Sequence, residues 1–329
     1  MLFLHGAGHF HPENVIDNDF LESLDIGTDA NWTLQRVGIR KRRTVLPRDY
    51  IRHTRNANPR EAEEAALYSN AKTGAMAARM AIERAGLRPE DIGLVVAGGC
   101  SPQFSTPAEA SVIAAELGIE APAFDMGTAC SSFGTQLHFL SKMEPSALPP
   151  YVLVVNPENN TRTVDYNDRK TAVLWGDATS AVVISSQVPG PWRFCCSDFK
   201  TDPKGWDKVK IARGGHFVQD GAAVQKFAIS KSVSMISDLD QRCNQAGDAF
   251  YFIGHQGNLR LLGSICKRMN IDGERHLFNV DEFGNGGAAG APSVFSQNWD
   301  RFREGDRIVM VIVGAGLAWS GMVLSREAA

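Results

Sequence analysis

The stretch that decides the fold reads Phe124-Asp125-Met126-Gly127-Thr128-Ala129-Cys130-Ser131-Ser132-Phe133-Gly134 and continues as an apolar run to Leu140. Its first residues form a short extended segment, the middle ones are small enough for a tight turn, and the apolar run predicts a helix. Cys130 therefore stands where that helix begins. The unpaired N–H groups and macrodipole of a helix start favour negative charge, so a thiol held there is drawn toward thiolate, the form that attacks a carbonyl. This marks Cys130 as a candidate nucleophile, with a buried structural cysteine as the competing reading.

Two distant stretches shift the balance toward chemistry: Phe252-Ile253-Gly254-His255-Gln256-Gly257-Asn258-Leu259-Arg260 and Phe283-Gly284-Asn285-Gly286-Gly287-Ala288-Ala289-Gly290. A cysteine with His and Asn far away in sequence is what a site assembled by the fold requires. In this order the three stretches resemble the thiolase superfamily, and more closely β-ketoacyl-acyl-carrier-protein synthase III and its relatives. Those enzymes use a Cys, a His in a His-Gln-Ala-Asn-like segment and an Asn in a Gly-Asn segment. The resemblance extends over essentially the whole chain. Gly257 stands where Ala is usual, and Gly286-Gly287 where Thr-Ser is usual.

The composition suits such an enzyme and excludes other classes. With 329 residues the chain is long enough for one large domain or two fused halves. A net charge of -3 removes any bulk electrostatic case for nucleic acid or a membrane surface. No apolar run is long enough for a transmembrane helix and no leader pattern opens the chain, so a cytoplasmic location is expected. The six cysteines show no Cys-x-x-Cys spacing, and reduced thiols are the expectation, with Cys195 and Cys196 incidental. His5, His9, His11 and Glu13 match no metal-binding spacing, so no metal is expected.

Along the chain, residues 1–12 read as a strand and turn, and residues 61–86 as the longest helical pattern. Residues 92–98 form a buried strand, and a helix over 107–117 is capped by Ser105 or Thr106 with Glu109 completing a capping box. After the nucleophile segment, residues 151–155 and the stretch that follows Gly176-Asp177 supply further strands. Residues 204–228 are irregular and a candidate substrate wall; residues 229–245 and 258–269 are helical, residues 250–253 a strand, and 307–313 and 321–325 closing strands. Strand, small-residue turn and helix thus recur in both halves, residues 1–187 with the Cys and 188–329 with the His and Asn, as in a duplicated unit. Periodicity alone says α/β. The resemblance implies a thiolase-like duplicated fold, layered α-β-α-β-α with two mixed five-stranded sheets.

What the resemblance implies about chemistry is specific. Cys130 takes an acyl group from a coenzyme A or carrier-protein thioester; a malonyl-type or β-ketoacyl-carrier thioester then condenses with it in a decarboxylative Claisen reaction, and His255 and Asn285 stabilise the enolate that loss of carbon dioxide leaves. The backbone N–H groups of Cys130 and Ala315 form the oxyanion hole. Trp32 and Arg36 hold the adenine and phosphate end of coenzyme A, Arg162 lies near its entrance, and Asn258 and Arg260 belong to the same site. Arg260, Lys267 and Arg268 form a cationic helix face for an acidic acyl-carrier protein. Thr106 replaces a bulky aromatic that would reach the partner subunit's acyl pocket, which implies a homodimer and a roomier pocket. The thioesters are substrates, and no permanently bound cofactor is implied. Fatty-acid initiation and, more so, specialised lipid or polyketide synthesis fit this pattern. A non-decarboxylating acyltransferase or head-to-head condensing relative, and a non-catalytic partner subunit, are the alternatives. Gly284-Asn285-Gly286-Gly287 lacks the Gly-x-Gly-x-x-Gly spacing of a dinucleotide site.

Overall fold

The computed structural model describes residues 1–243 and 249–328. The principal strands are β1 (Leu2–Phe10), β2 (Leu94–Ala97), β3 (Ala123–Asp125), β4 (Val152–Glu158), β5 (Ala178–Ser185), β6 (Trp192–Thr201), β7 (Tyr251–Gly254), β8 (Arg307–Gly314) and β9 (Ala318–Arg326). Among the described residues they share one hydrogen-bonded network in the order β7-β8-β9-β6-β1-β5-β4-β2-β3. Every residue of β4 and of β5 is buried, as expected of strands covered on both faces.

The order contains the same motif twice. In the first half, β1, β5 and β4 pair antiparallel, and β4, β2 and β3 pair parallel. In the second, β6, β9 and β8 pair antiparallel and β8 pairs parallel with β7. The counterpart of β3 is reduced to one parallel bridge, Phe252 to His276. The second half therefore contributes four strands where five were expected. Between the turn closed by Arg275 N–H to Asp272 and the helix that starts at Val280, residues 276–279 form no ladder beyond that bridge. The two halves join where Leu2, Phe3 and Leu4 of β1 pair with Phe194, Arg193 and Trp192 of β6.

Six helices complete five layers. Helices α1 (Asn70–Arg84) and α2 (Glu109–Leu117) cover the outer face of the first half; α4 (Gly221–Cys243) and α5 (Leu259–Met269) cover the second. Between the halves lie α3 (Ser132–Leu140), packed on β4 and on β6, β8 and β9, and α6 (Gly290–Gln297), packed on β1, β5 and β7. A helix between two sheets must be apolar or small all round, and α6 is buried from Gly290 to Ser296. This is the α-β-α-β-α layering that the family resemblance implied.

Several local expectations give way to tertiary contacts. The helical pattern over 61–86 breaks into Pro59–Ala65 and α1, because the Leu67 N–H bonds the Val45 carbonyl and Ser69 caps α1 through the Lys72 N–H. Helix α2 takes its cap from neither Ser105 nor Thr106. The Asp125 carboxylate at the end of β3 accepts from the Glu109 and Ala110 N–H groups at 2.8 and 2.9 Å, while the Glu109 side chain turns inward to the Asn70 amide. Helix α4 begins at Gly221 rather than at residue 229, and the expected end at Gln245 lies outside the described residues. The irregular stretch holds a small hairpin, Val209–Ile211 with Phe217–Gln219. Cys196, read as incidental and reduced, is paired in a disulfide with Cys243, their Cα atoms 6.6 Å apart, because β6 and the end of α4 meet. Among the described residues, no helix is long and apolar enough to cross a membrane.

Candidate active site

A cavity of about 690 Å³ is lined by Cys130, His255 and Asn285 together. The three lie in separate turns, and each is almost closed off, at 7%, 8% and 7% exposed.

Cys130 sits between β3 and α3 in a turn tied by hydroxyls. Thr128 Oγ1 lies 2.9 Å from Ser131 Oγ and 2.7 Å from Thr135 Oγ1, and the Thr128 N–H donates to Ser132 Oγ at 2.9 Å. Ala129 adopts φ +50°, a left-handed conformation that costs a non-glycine residue on the order of 1 kcal/mol or more and that the surrounding bonds enforce. The loop after β8 closes on this turn: a Cβ at Gly314 would stand 2.7 Å from the Ser131 nitrogen and 2.8 Å from the Thr128 oxygen, so only glycine fits. Ala315 follows it and lines the same cavity as Cys130. Helix α3 begins at Ser132, so the positive end of its dipole lies directly after the cysteine.

His255 leaves the end of β7. Gln256 fixes the departure, its amide donating to the Gly254 carbonyl at 2.7 Å while its side-chain oxygen accepts from the Asn279 and Val280 N–H groups. Burial lowers the His255 pKa to about 4, so the imidazole is neutral at physiological pH. Its Nδ1 is sealed and has no hydrogen-bond partner, so other atoms of the ring face the cavity.

Asn285 is anchored by the other half of the molecule. Its N–H donates to the Leu174 carbonyl at 2.8 Å and its carbonyl accepts from the Gly176 N–H at 3.2 Å. The side-chain oxygen accepts from the Gly287 N–H at 3.1 Å, which leaves the amide NH₂ as the end able to donate into the cavity. Gly287 has φ +55°, and a Cβ there would meet a Glu158 carboxylate oxygen at 2.5 Å. Glu158 is fully buried and accepts from the Cys100 and Ala288 N–H groups; burial pushes its pKa up to about 7.

At the mouth, the short helix Ala30–Val37, capped by Asp29, presents Trp32 and Arg36 to the cavity. The arginine that joins them is Arg169, whose guanidinium lies 5.2 Å from the Trp32 ring centroid. Arg162 does not reach this place. It is 1% exposed and donates to the Asn159 carbonyl, the Asn70 side chain and Glu63, so the expectation that it flanks the entrance is corrected. Both arginines occupy the polar stretch after β4; Arg162 belongs to a single helical turn packed under Glu63, whereas Arg169 lies beyond it.

Asn258 lines the cavity and caps α5 by accepting the Leu261 N–H at 2.8 Å. Arg260 is exposed and donates to the Gln35 carbonyl at 3.0 Å, which ties α5 to the helix of Trp32 and Arg36. Lys267 and Arg268 are exposed in the last turn of α5. Thr106 is exposed in the loop before α2 and is not part of the cavity wall of a single chain. Among the described residues no cluster of three or more His, Cys, Asp or Glu side chains is arranged to hold a metal ion. Sequence reading missed Cys100, whose Sγ lies 3.2 Å from Cys130 Sγ. Nothing in its own segment announces this, because the two loops meet only after β2 and β3 pair.

Comparison with known proteins agrees over the full length. Residues 124–203 match the family model of 3-oxoacyl-(acyl-carrier-protein (ACP)) synthase III, and residues 239–326 match the model of its C-terminal part. A β-ketoacyl-(acyl-carrier-protein) synthase III of Syntrophomonas wolfei is 31% identical, covering 97% of this chain and 96% of the relative. One from Cereibacter sphaeroides is 30% identical and covers 97% of each. The crystal structure of 3-oxoacyl-(acyl-carrier-protein) synthase III from Aquifex aeolicus superposes with a TM-score of 0.87 at 25% identity, covering 99% of this chain and 100% of that one. The priming β-ketosynthase of the R1128 polyketide pathway superposes with a TM-score of 0.85 at 25% identity, covering 99% and 96%. The chain belongs to the 3-oxoacyl-(acyl-carrier-protein) synthase III family of condensing enzymes.

Proposed function

We propose that Cys130 is the acyl acceptor of a decarboxylating condensation in which His255 and Asn285 stabilise the enolate. The observation that carries this is the convergence of the three side chains on one cavity. In the first half-reaction the Cys130 sulfur attacks a thioester carbonyl, and the oxyanion receives hydrogen bonds from the Cys130 and Ala315 backbone N–H groups. The carrier thiol then departs. In the second, a malonyl-type thioester loses carbon dioxide; the enolate oxygen accepts from neutral His255 and the Asn285 amide, and the enolate carbon attacks acyl-Cys130. Charge grows on that oxygen in the transition state, so the pair lowers the barrier rather than tightening the ground state.

The thioester arrives on coenzyme A or an acyl-carrier protein. Trp32, Arg36 and Arg169 offer a flat indole and two guanidinium groups, suited to an adenine ring and phosphates. Asn258 adjoins the pantetheine arm, and the exposed Arg260, Lys267 and Arg268 of α5 supply a cationic surface for an acidic carrier. The protein acts as a homodimer in which Thr106 faces the partner's acyl pocket. Its small side chain and the likeness to a polyketide priming synthase support a specialised lipid or polyketide role over housekeeping initiation.

The test is intact-protein mass spectrometry with a panel of acyl-coenzyme A and acyl-carrier thioesters, paired with release of labelled carbon dioxide from a malonyl thioester. A mass gain lost in Cys130→Ala, together with carbon dioxide release, is the expected result. Loading without carbon dioxide release would leave a simple acyltransferase, and no loading with any donor would point to a non-catalytic subunit.

A further inference from the structure

The side chain that the condensation does not use is Cys100. It follows β2 and a Gly98-Gly99 pair, and its N–H donates to both carboxylate oxygens of Glu158 at 3.0 and 3.1 Å, which fixes its backbone. Its sulfur lies 3.2 Å from that of Cys130, closer than two sulfur atoms at van der Waals contact and about 1 Å beyond a covalent bond of roughly 2.05 Å. Cys130 is held equally firmly from its own side by the Thr128 and Ser131 hydroxyl bonds. Two fixed backbones thus present two thiols to each other across a gap that side-chain rotation can close.

Cys130 lines the cavity, so a small oxidant that enters the cavity reaches its sulfur there; Cys100 is partly exposed but is not part of the cavity lining. The contact with Cys130, followed by burial, pushes the Cys100 pKa up, so Cys100 waits as a protonated thiol. The other free cysteines, Cys195 and Cys266, are not paired with either sulfur.

We infer that Cys100 is a resolving thiol for Cys130, and that peroxide converts the pair to a reversible Cys100–Cys130 disulfide that shuts the acyl-acceptor site. The Cys130 thiol reduces hydrogen peroxide to water, giving up two electrons and becoming the sulfenic acid Cys130–SOH. Cys100 then attacks that sulfur; the S–O bond breaks, the S–S bond forms, and the Cys100 proton leaves with the hydroxyl as a second water. An external dithiol restores both thiols and is itself oxidised to its disulfide. Without a neighbouring thiol, the sulfenic acid proceeds to the sulfinic acid, which no simple thiol reverses. The pair thus protects the nucleophile from irreversible loss. The inference concerns the thiol assigned above as acyl acceptor, but it requires only that this thiol be reachable.

The experiment treats the full chain with hydrogen peroxide, maps the cysteine peptides by mass spectrometry, and then adds dithiothreitol. The expected product is a Cys100–Cys130 crosslink, two hydrogens lighter than the separate peptides. Cys130 alkylation by iodoacetamide is lost on oxidation and fully regained on reduction. In Cys100→Ser and Cys100→Ala, the same dose drives Cys130 to the sulfinic acid, and dithiothreitol recovers none of it. Direct passage of wild-type Cys130 to the sulfinic acid with no crosslink would overturn the inference, as would equal recovery in the Cys100 variants. Wild-type mapping stands even where a variant folds poorly. Crosslinking without acyl loading would sink the proposed function alone, and loading without crosslinking would sink this inference alone.

Discussion

The turn that carries Cys130 and the loop that carries Asn285 meet at one cavity, yet they are built in opposite ways. The first is held largely by its own residues, Thr128, Ser131, Ser132 and Thr135 bonding within eight consecutive positions. The second is held by the other half of the chain: Leu174 and Gly176 pin its backbone, and Glu158 receives the Ala288 N–H. A nucleophile needs a strained but locally braced turn. A hydrogen-bond donor that must meet that nucleophile from across the molecule needs an anchor on the nucleophile's own side. The fusion of the two halves is thus what brings Cys130, His255 and Asn285 to one cavity.

The sharpest way to break this comparison is to separate the two jobs. Cys130→Ala is expected to abolish acyl loading altogether. His255→Ala and Asn285→Ala are each expected to preserve loading, read by intact mass, while carbon dioxide release falls on the order of 10²–10³-fold. Loss of loading in Asn285→Ala would show that the second region does not merely assist the condensation step.

A second comparison sets Arg162 against Arg169. Arg162→Ala removes a buried side chain that bonds the Asn159 carbonyl, Asn70 and the partly exposed Glu63, and is expected to cost about 1–3 kcal/mol of stability, measured by urea denaturation. Arg169→Ala should leave the urea midpoint nearly unchanged and raise KM for a coenzyme A thioester several-fold with little change in kcat. The reverse pattern would place the buried arginine in binding after all.

Effects of comparable size are expected where the halves touch. Gly314→Ala forces a methyl against the Ser131 nitrogen and the Thr128 oxygen, at a cost of about 1–3 kcal/mol from overpacking. Because that contact lies on the nucleophile turn, the rate of Cys130 alkylation should change with it. An unaltered rate would mean that the turn is braced without the loop after β8.

The smallest effect is a slope. The folded His255 pKa, about 4, lies below the ordinary 6.5, so its contribution to stability is complete above about pH 6.5 and is lost as pH falls toward 4. Glu158, raised to about 7 from 4.5, has the opposite sign: its contribution is complete below pH 4.5 and is lost as pH rises through 7. His255→Gln should therefore flatten the loss of urea stability between pH 6.5 and 4, and an identical slope would refute the assignment of a buried neutral imidazole.

The amino-acid sequence by itself marked the three side chains that line the cavity together and determined the α/β alternation. Cys130, His255 and Asn285 each sit in a turn whose small residues are demanded locally, so their neighbours announce them. It also marked Trp32 and Arg36, which lie within a helix that its own Asp29 caps. It did not distinguish Arg162 from Arg169, since both stand in one polar stretch and only Glu63 and Asn70, far off in the chain, decide which is buried. It did not foresee the break before α1, the capping of α2 by Asp125 or the Cys196–Cys243 pair, each of which needs a partner from another element. Nor did it bring Cys100 to Cys130. Local preference is read from neighbours within a few residues. A contact between segments thirty or a hundred residues apart exists only once strand pairing and layer packing have fixed both backbones, and those decisions belong to the tertiary structure.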